Sequence, residues 1–251
     1  MSEIGKSVRL KSIFGEDGRT LMVALDHGLG VPLVRGLEEP LGIIRQVKEG
    51  GADAIIITIG MVRRFYHELP TDIGLALSIP TDPSSIRTAA NLGLHAVKNT
   101  YFGPLKGGRL EVIHALALEC EFHGMPLLAE IVPTDPRTGE LAYELSQIKE
   151  AVRIAAEFGA DLVKTTYTGS PETFREVVEY CRIPIVILGG ERMDNDESVL
   201  ENAKGAIDAG AAGVAFGRNI FQHRNPMAMT RAIARIIHGN ASVEEAIGEL
   251  K

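Results

Sequence analysis

The chain has 251 residues, 45% of them hydrophobic, which is enough for one large core, although length alone leaves two domains open. Its net charge of −7 argues against a nucleic-acid surface, because phosphate contacts need clustered Lys and Arg. The only cysteines, Cys120 and Cys181, are too few for a disulfide framework; with no signal-type apolar core in MSEIGKSVRLKSIF and no run of transmembrane length, a soluble cytoplasmic protein is expected.

In chain order, an added helix is expected over 5–14, followed by a strand at 21–25 (LMVAL). Further strands are expected at 54–59, 73–78, 95–99, 126–132, 161–165, 184–188 and 212–216. Their nearly continuous apolar runs fit parallel strands covered on both faces. Between them, amphipathic helical patterns occupy 38–50, 83–93, 108–123, 146–159, 171–181, 195–210 and 226–238, with a shorter one at 60–68. A short helix at 218–222 and an added one at 242–250 complete the chain. Glycines close several helical patterns, and Gly51-Ala52, Gly159-Ala160 and Gly210-Ala211 repeat the same junction before a strand. Eight strand–helix units in this length predict an α/β fold, a (β/α)8 TIM barrel forming one domain over 1–251. The rival, a doubly wound open sheet, wants a Gly-rich fingerprint after its first strand, and Asp26-His27-Gly28-Leu29-Gly30 does not match it.

A TIM barrel carries its active site at the C-terminal ends of the strands. Those ends offer Asp26 and His27; Lys98 and Asn99; Glu130, Thr134 and Asp135; Lys164, Thr165, Thr166 and Tyr167; Gly189 and Gly190; and Gly217 and Arg218. Lys164 ends an otherwise apolar strand. Pointing inward it is a candidate nucleophile, since desolvation favours the neutral form of an amine; pointing outward it is a solvated strand-end lysine. Asp26 is either an acid/base group or a rim hydrogen-bond partner. His27 is adjacent, faces the other way if the strand continues, and is expected to have a structural or loop role. Gly189, Gly190, Gly217 and Arg218 lie after strands 7 and 8, where barrels often bind phosphate, the alternative being two ordinary turns with a surface arginine. Scattered histidines argue against a metal centre, and the chain lacks a GxSxG elbow.

In order along the chain, VALDHG, DLVKTTYTGSPETF, VILGG and GAAGVAFGRNIFQ resemble the archaeal-type class I fructose-bisphosphate aldolase family, a group that includes 2-amino-3,7-dideoxyheptulosonate synthases and phospho-autoinducer thiolases. The resemblance covers nearly the whole chain. It implies that Lys164 is the Schiff-base lysine and Asp26 a catalytic aspartate, with Gly189, Gly190, Gly217 and Arg218 binding phosphate. It also implies no cofactor and a homo-oligomer, often a decamer in this family.

One departure matters. Aldolases and synthases of this group usually carry a tyrosine proton donor at the end of strand 5, and here Val132 stands in its place, which puts fructose-bisphosphate cleavage in doubt. Residues two apart share a strand face, so if position 132 faces the barrel, so does Glu130, either as acid/base or as a structural partner of Lys164. Tyr101, Tyr143 and Tyr167 are other candidate donors, while Lys98 is either a second cation near Lys164 or, like most strand-end lysines, solvated. The expected function is a Schiff-base aldolase acting on a phosphorylated ketose or dihydroxyacetone-phosphate-type ketone. The alternatives are a transaldolase-type synthase or thiolase, a non-covalent sugar-phosphate isomerase, and a phosphate-ligand binding protein. Neither nucleic-acid nor membrane partners are expected.

Overall fold

A computed structural model describes residues 2–29, 34–106, 109–135 and 137–251; Gly30, and Gly108 at the start of the predicted 108–123 helix, lie outside them. The eight apolar runs form β1 (Thr20–Ala24), β2 (Ala54–Ile57), β3 (Gly74–Ile79), β4 (Ala96–Gly103), β5 (Leu127–Pro133), β6 (Leu162–Thr165), β7 (Ile185–Leu188) and β8 (Gly213–Phe216). Each pairs in parallel with the next, and β8 pairs with β1 to close the barrel. The strands alternate with α2 (Pro40–Glu49), α3 (Ile59–Phe65), α4 (Ser84–Asn91), α5 (Glu111–His123), α6 (Leu145–Glu157), α7 (Pro171–Tyr180) and α8 (Asp196–Asp208). α1 (Ser2–Leu10) precedes the barrel, and α9 (Arg218–Phe221), α10 (Pro226–Ile237) and α11 (Val243–Ala246) follow it. The fold is the expected TIM barrel.

The period of two along each strand divides the core. One set of side chains, including Leu21, Val23, Ile55, Ile57, Val97, Val163 and Ile187, packs outward with the helices. The alternate set, Met22, Ala24, Ala54, Ile56, Ala76, Ala96, Leu128, Leu162, Val186 and Ala215, fills the barrel interior with Ile13. This explains the continuous apolar runs, since both faces of every strand are buried. The repeated Gly-Ala junction is equally real: Gly51, Gly159 and Gly210 adopt φ of 94°, 93° and 95°, a left-handed turn that glycine makes at little cost.

Several boundaries differ from expectation, four of them for a clear structural reason. β2 stops at Ile57 because Thr58 turns to cap α3, its hydroxyl accepting from the Met61 amide. β4 continues past Asn99 to Gly103, so Tyr101 lies within the strand. α1 spans Ser2–Leu10, and the turns after it set the fully buried Ile13 beneath the barrel, where its carbonyl accepts from Thr20 Oγ1 at 2.6 Å. The C-terminal segment is a single α-turn, capped reciprocally by Ser242 and Glu245, that runs into a 3-10 turn.

A charged clamp holds the base of the barrel. His238, at the end of α10, contacts Asp17 Oδ2 at 2.9 Å and Asp53 Oδ2 at 3.0 Å, and Asp53 also accepts from the Leu21 amide at 2.6 Å. Hydrogen bonding to Asp53 outweighs burial and, with Asp17, pushes the imidazole pKa up to about 9. A raised folded-state pKa gives stability that is complete below the ordinary value of 6.5 and is lost as pH rises through about 9. Thermal melts of the native chain should therefore fall more steeply over that window than those of His238→Gln, whose melting temperature should be lower at neutral pH. Parallel curves for the two proteins would remove the clamp from the stability account.

Candidate active site

Two residues beyond the apolar interior layer, on the same strand faces, the side chains turn polar: Ala24 gives way to Asp26, Ala76 to Ser78, Ala96 to Lys98, Leu128 to Glu130 and Leu162 to Lys164. Strand register brings them level, with Ser78 opposite Lys98, Thr100 opposite Glu130, and Glu130 opposite Lys164. The result is a chain of alternating charges. Asp26 Oδ2 lies 2.8 Å from Lys98 Nζ, Lys98 Nζ lies 2.6 Å from Glu130 Oε2, and Glu130 Oε1 lies 2.6 Å from Lys164 Nζ. Thr100 Oγ1 donates to Glu130 Oε2 at 2.8 Å. Each of the four charged residues is 5–7% exposed.

The electrostatics follow from that order. Burial opposes ionisation of Glu130, but the ammonium groups of Lys164 and Lys98 overcome it and hold the carboxyl well below the usual range. Asp26 is lowered as well, burial being outweighed by Lys98 and Lys164. Burial works against the charge on Lys98 too, yet Glu130 and Asp26 keep it firmly protonated.

This row forms the floor of a cavity of about 800 Å³. Gly189, Gly190, Gly217 and Arg218 line one side of the cavity; Ile79, Pro80, Phe102 and Leu141 line another. The sequence-derived candidates Asp26, Glu130, Lys164, Gly189, Gly190, Gly217 and Arg218 thus converge on one space. Gly217 is tightly enclosed: a Cβ there would strike the His27 ring and lie 2.9 Å from the Ala24 carbonyl oxygen. Gly190 has a left-handed φ of 65°. The Arg218 guanidinium is only loosely engaged by Glu191, at 3.7 Å, and its buried Nε has no partner among the described residues.

Two residues whose roles the sequence leaves open, Lys98 and His27, also lie at the site. Lys98 is buried at the centre of the charge row, because Asp26 and Glu130 converge on it from β1 and β5. His27 lies in a 3-10 turn rather than on a continuing strand, and its ring lines the cavity against Gly217 and Phe221. Burial, partly offset by Asp26, pulls its pKa down to about 4, so it is neutral at pH 7.

The candidate tyrosines do not reach the site. Tyr101 donates to the Pro104 carbonyl at 2.8 Å, Tyr143 is exposed, and Tyr167 packs on Phe174 and Gly205. Among the described residues, no tyrosine lines the cavity. Val132 is fully buried. Thr134 bridges Leu141, Asp135 closes its own turn through the Arg137 amide, and Thr165 donates to the Ile131 carbonyl. Thr166 is buried with its hydroxyl unpartnered among the described residues.

Sequence reasoning places Asn219 beside Gly217 and Arg218 but gives it no role. It donates to the Gly189 carbonyl at 2.8 Å and accepts from the Met193 amide at 2.8 Å, tying the loop after β7 to the turn after β8. Nothing in its spacing signals this. Asn219→Ala strands a carbonyl and an amide next to the cavity, and denaturant unfolding should show a loss of about 1–3 kcal/mol. A stability unchanged from the native chain would mean that water replaces the side chain at no cost.

Comparison with known proteins agrees with this fold and points to a family of aldolases. The DeoC/LacD family aldolase model matches residues 20–223. A 2-amino-3,7-dideoxy-D-threo-hept-6-ulosonate synthase of Halobacterium salinarum is 33% identical, with 98% of this chain and 97% of the relative covered. An uncharacterised aldolase of Saccharolobus solfataricus is 30% identical over 99% of this chain and 100% of its own. Among solved structures, an archaeal fructose-1,6-bisphosphate aldolase with its catalytic lysine bound to the carbinolamine intermediate superposes with a TM-score of 0.81, at 25% identity, over 92% of this chain and 99% of that one.

Proposed function

Because the chain belongs to the DeoC/LacD aldolase family, we propose that it is a class I aldolase whose Lys164 condenses with a phosphorylated ketone and makes or breaks a carbon–carbon bond through the resulting iminium. The observation that carries this reading is the 2.6 Å contact between Lys164 Nζ and Glu130 Oε1 on the floor of the cavity. An amine placed there has a base beside it and a space in front of it for the carbonyl.

Lys164 passes a proton to Glu130, and its freed lone pair attacks the ketone carbon. The carbonyl π pair moves to oxygen. The second proton moves from the Lys164 nitrogen to that oxygen, giving a neutral carbinolamine, whose hydroxyl takes a proton from Glu130 and leaves as water. The iminium then faces the Glu130 carboxylate as its counter-ion. Asp26 Oδ1, the oxygen that Lys98 does not engage, takes the proton from the substrate hydroxyl as the carbon–carbon bond breaks, and the iminium receives the electron pair. In the synthetic direction the same steps run in reverse. Gly189, Gly190, Gly217 and Arg218 bind the phosphate, with Arg218 supplying the charge and the glycines close approach of backbone amides.

The substrate class is a phosphorylated ketose or a ketone of the dihydroxyacetone-phosphate type. Fructose-bisphosphate cleavage is not carried over from the structural relatives, because Val132 cannot donate a proton and no described tyrosine takes its place. The same residue, together with the synthase relative, favours a second reading in which the iminium serves fragment transfer or bond formation.

Borohydride reduction with dihydroxyacetone phosphate and a panel of ketose phosphates should trap an adduct on the peptide containing Lys164. Lys164→Met should trap none. If no phosphoketone is trapped while phosphate-ligand binding persists, the covalent reading fails. Arg218→Ala should raise KM by about tenfold or more, the loss of a hydrogen bond to a charged group of about 1.5–3 kcal/mol, with a smaller change in kcat; a KM unchanged from the native chain would place the phosphate elsewhere.

A further inference from the structure

The cavity has two unlike walls, and the steps above use only the one that takes phosphate. We infer that the outer fragment, the part that departs or arrives as the carbon–carbon bond is broken or made, is an uncharged aldehyde with an apolar chain, and that Phe102 and Leu141 select it. The whole substrate is then a ketone phosphorylated at one end and apolar at the other. The inference rests on the Schiff-base reading and deepens it.

The supply of positive charge decides first. Among the described residues, the cationic side chains that line the cavity are Lys98, Lys164 and Arg218. Residues 1, 30–33, 107, 108 and 136 have no cationic side chain to add. Lys98 is held between Asp26 and Glu130, at 2.8 and 2.6 Å, and Lys164 is the nucleophile. That leaves Arg218, beside the glycines after β7 and β8, to serve one phosphate. Lys106 and Arg109, which follow β4, are exposed and do not line the cavity. A second phosphate or a carboxylate on the outer fragment would therefore lie against Ile79, Pro80, Phe102 and Leu141 without a counter-charge, and its desolvation would go uncompensated.

The polar atoms of this wall are largely spent. Asn99 Nδ2 donates to both the Ile79 and the Pro80 carbonyls, at 3.2 Å each, and the Thr100 hydroxyl is given to Glu130. Lys98, Thr100 and Phe102 share one face of β4 and all line the cavity, so the strand rises from the charged floor to an aromatic ring. The bridge between Thr134 and Leu141, just past β5, brings Leu141 to the same wall. Phe102 is 60% exposed, and an apolar chain laid along the wall takes its ring out of water. In the joining direction, the enamine carbon on Lys164 bonds to the aldehyde carbon and the carbonyl π pair goes to the aldehyde oxygen. Asp26 returns to that oxygen the proton it took when the iminium became the enamine. The chain attached to the aldehyde carbon then lies on Phe102 and Leu141.

The test joins the phosphoketone that borohydride traps best to a series of aldehydes, with the ketose phosphate product followed by mass spectrometry. The series runs from ethanal to pentanal, beside glyceraldehyde 3-phosphate. For the native chain, kcat/KM should rise about threefold to fourfold per added methylene, the rate equivalent of about 0.8 kcal/mol, and the phosphorylated aldehyde should lie at least about tenfold below pentanal. Phe102→Ser and Leu141→Ser, each checked by thermal melting and native mass, should flatten the series, with pentanal losing about tenfold and ethanal much less. Phe102→Arg puts a cation on the apolar wall at an exposed position and should raise kcat/KM for glyceraldehyde 3-phosphate, a gain that a merely structural role would not produce. A native chain that traps its ketone but prefers the phosphorylated aldehyde, shows no dependence on chain length or joins no aldehyde overturns the inference and leaves the Schiff-base reading standing. So does a Phe102→Ser variant that keeps the native series while its oligomer mass changes, since the ring then serves a contact between copies of the chain. A native chain that traps no ketone overturns both.

Discussion

The row Asp26–Lys98–Glu130–Lys164 constrains everything around it, because four charges are taken out of water together. Removing a charge from water costs several kcal/mol per ion even after relaxation. Each member is therefore sustained only by its neighbours, and the row persists only if every contact is short. Contacts of 2.6–2.8 Å among residues on β4, β5 and β6, and with Asp26 just past the end of β1, demand that those strands keep register. A slip of one residue anywhere in β4, β5 or β6 would swing a charge from the cavity floor into the apolar packing behind the sheet. Apolar side chains of similar volume generally serve stability as well as a buried ion pair does. The row is better explained by chemistry than by folding.

The rest of the barrel isolates that row and shapes the space above it. Beneath lies the dry layer of Met22, Ala24, Ala54, Ile56, Ala76, Ala96, Leu128, Leu162, Val186 and Ala215, closed below by Ile13. Water has no route to the charges through this layer, so their interactions are screened only from the cavity side. Above, Asn219 fixes the turn after β8 to the loop after β7, and enclosed Gly217 lets the His27 ring come close. Neutral His27 adds a polar wall without adding charge to a row that already balances.

Much of this is legible in the amino-acid sequence, for physical reasons. Parallel strands buried on both faces give unbroken apolar runs, and glycine is needed where each left-handed junction turns into a strand. Polar residues at the ends of such runs stand out because the runs are otherwise apolar, which is why the order of residues is enough to bring together Asp26, Glu130, Lys164 and the glycines after β7 and β8. Lys98 escapes such a reading because a single strand does not reveal which carboxylates converge on its end from β1 and β5. His27 escapes it because alternation holds only as far as the strand does, and β1 ends at Ala24. Asn219 offers no signal, since its role depends on two backbone groups, at Gly189 and Met193, that lie 30 and 26 residues away.

The replacement of the usual tyrosine by Val132 has a geometric consequence once Glu130 is placed. Two residues along a strand correspond to about 7 Å, so the proton-handling group sits one pleat deeper than the position Val132 occupies. Val132 is fully buried and is not among the residues that line the cavity, so it presents no group to a bound substrate. Glu130 instead touches the lysine nitrogen, which suits it to forming and dehydrating the carbinolamine and to stabilising the iminium. That leaves the carbon–carbon bond to Asp26, held ionised by Lys98 and free at one oxygen. On this reading Glu130 serves the nitrogen end of the substrate and Asp26 the carbon–carbon bond. The proton that the outer fragment gives up as the bond breaks, or takes as it forms, then passes through Asp26 alone.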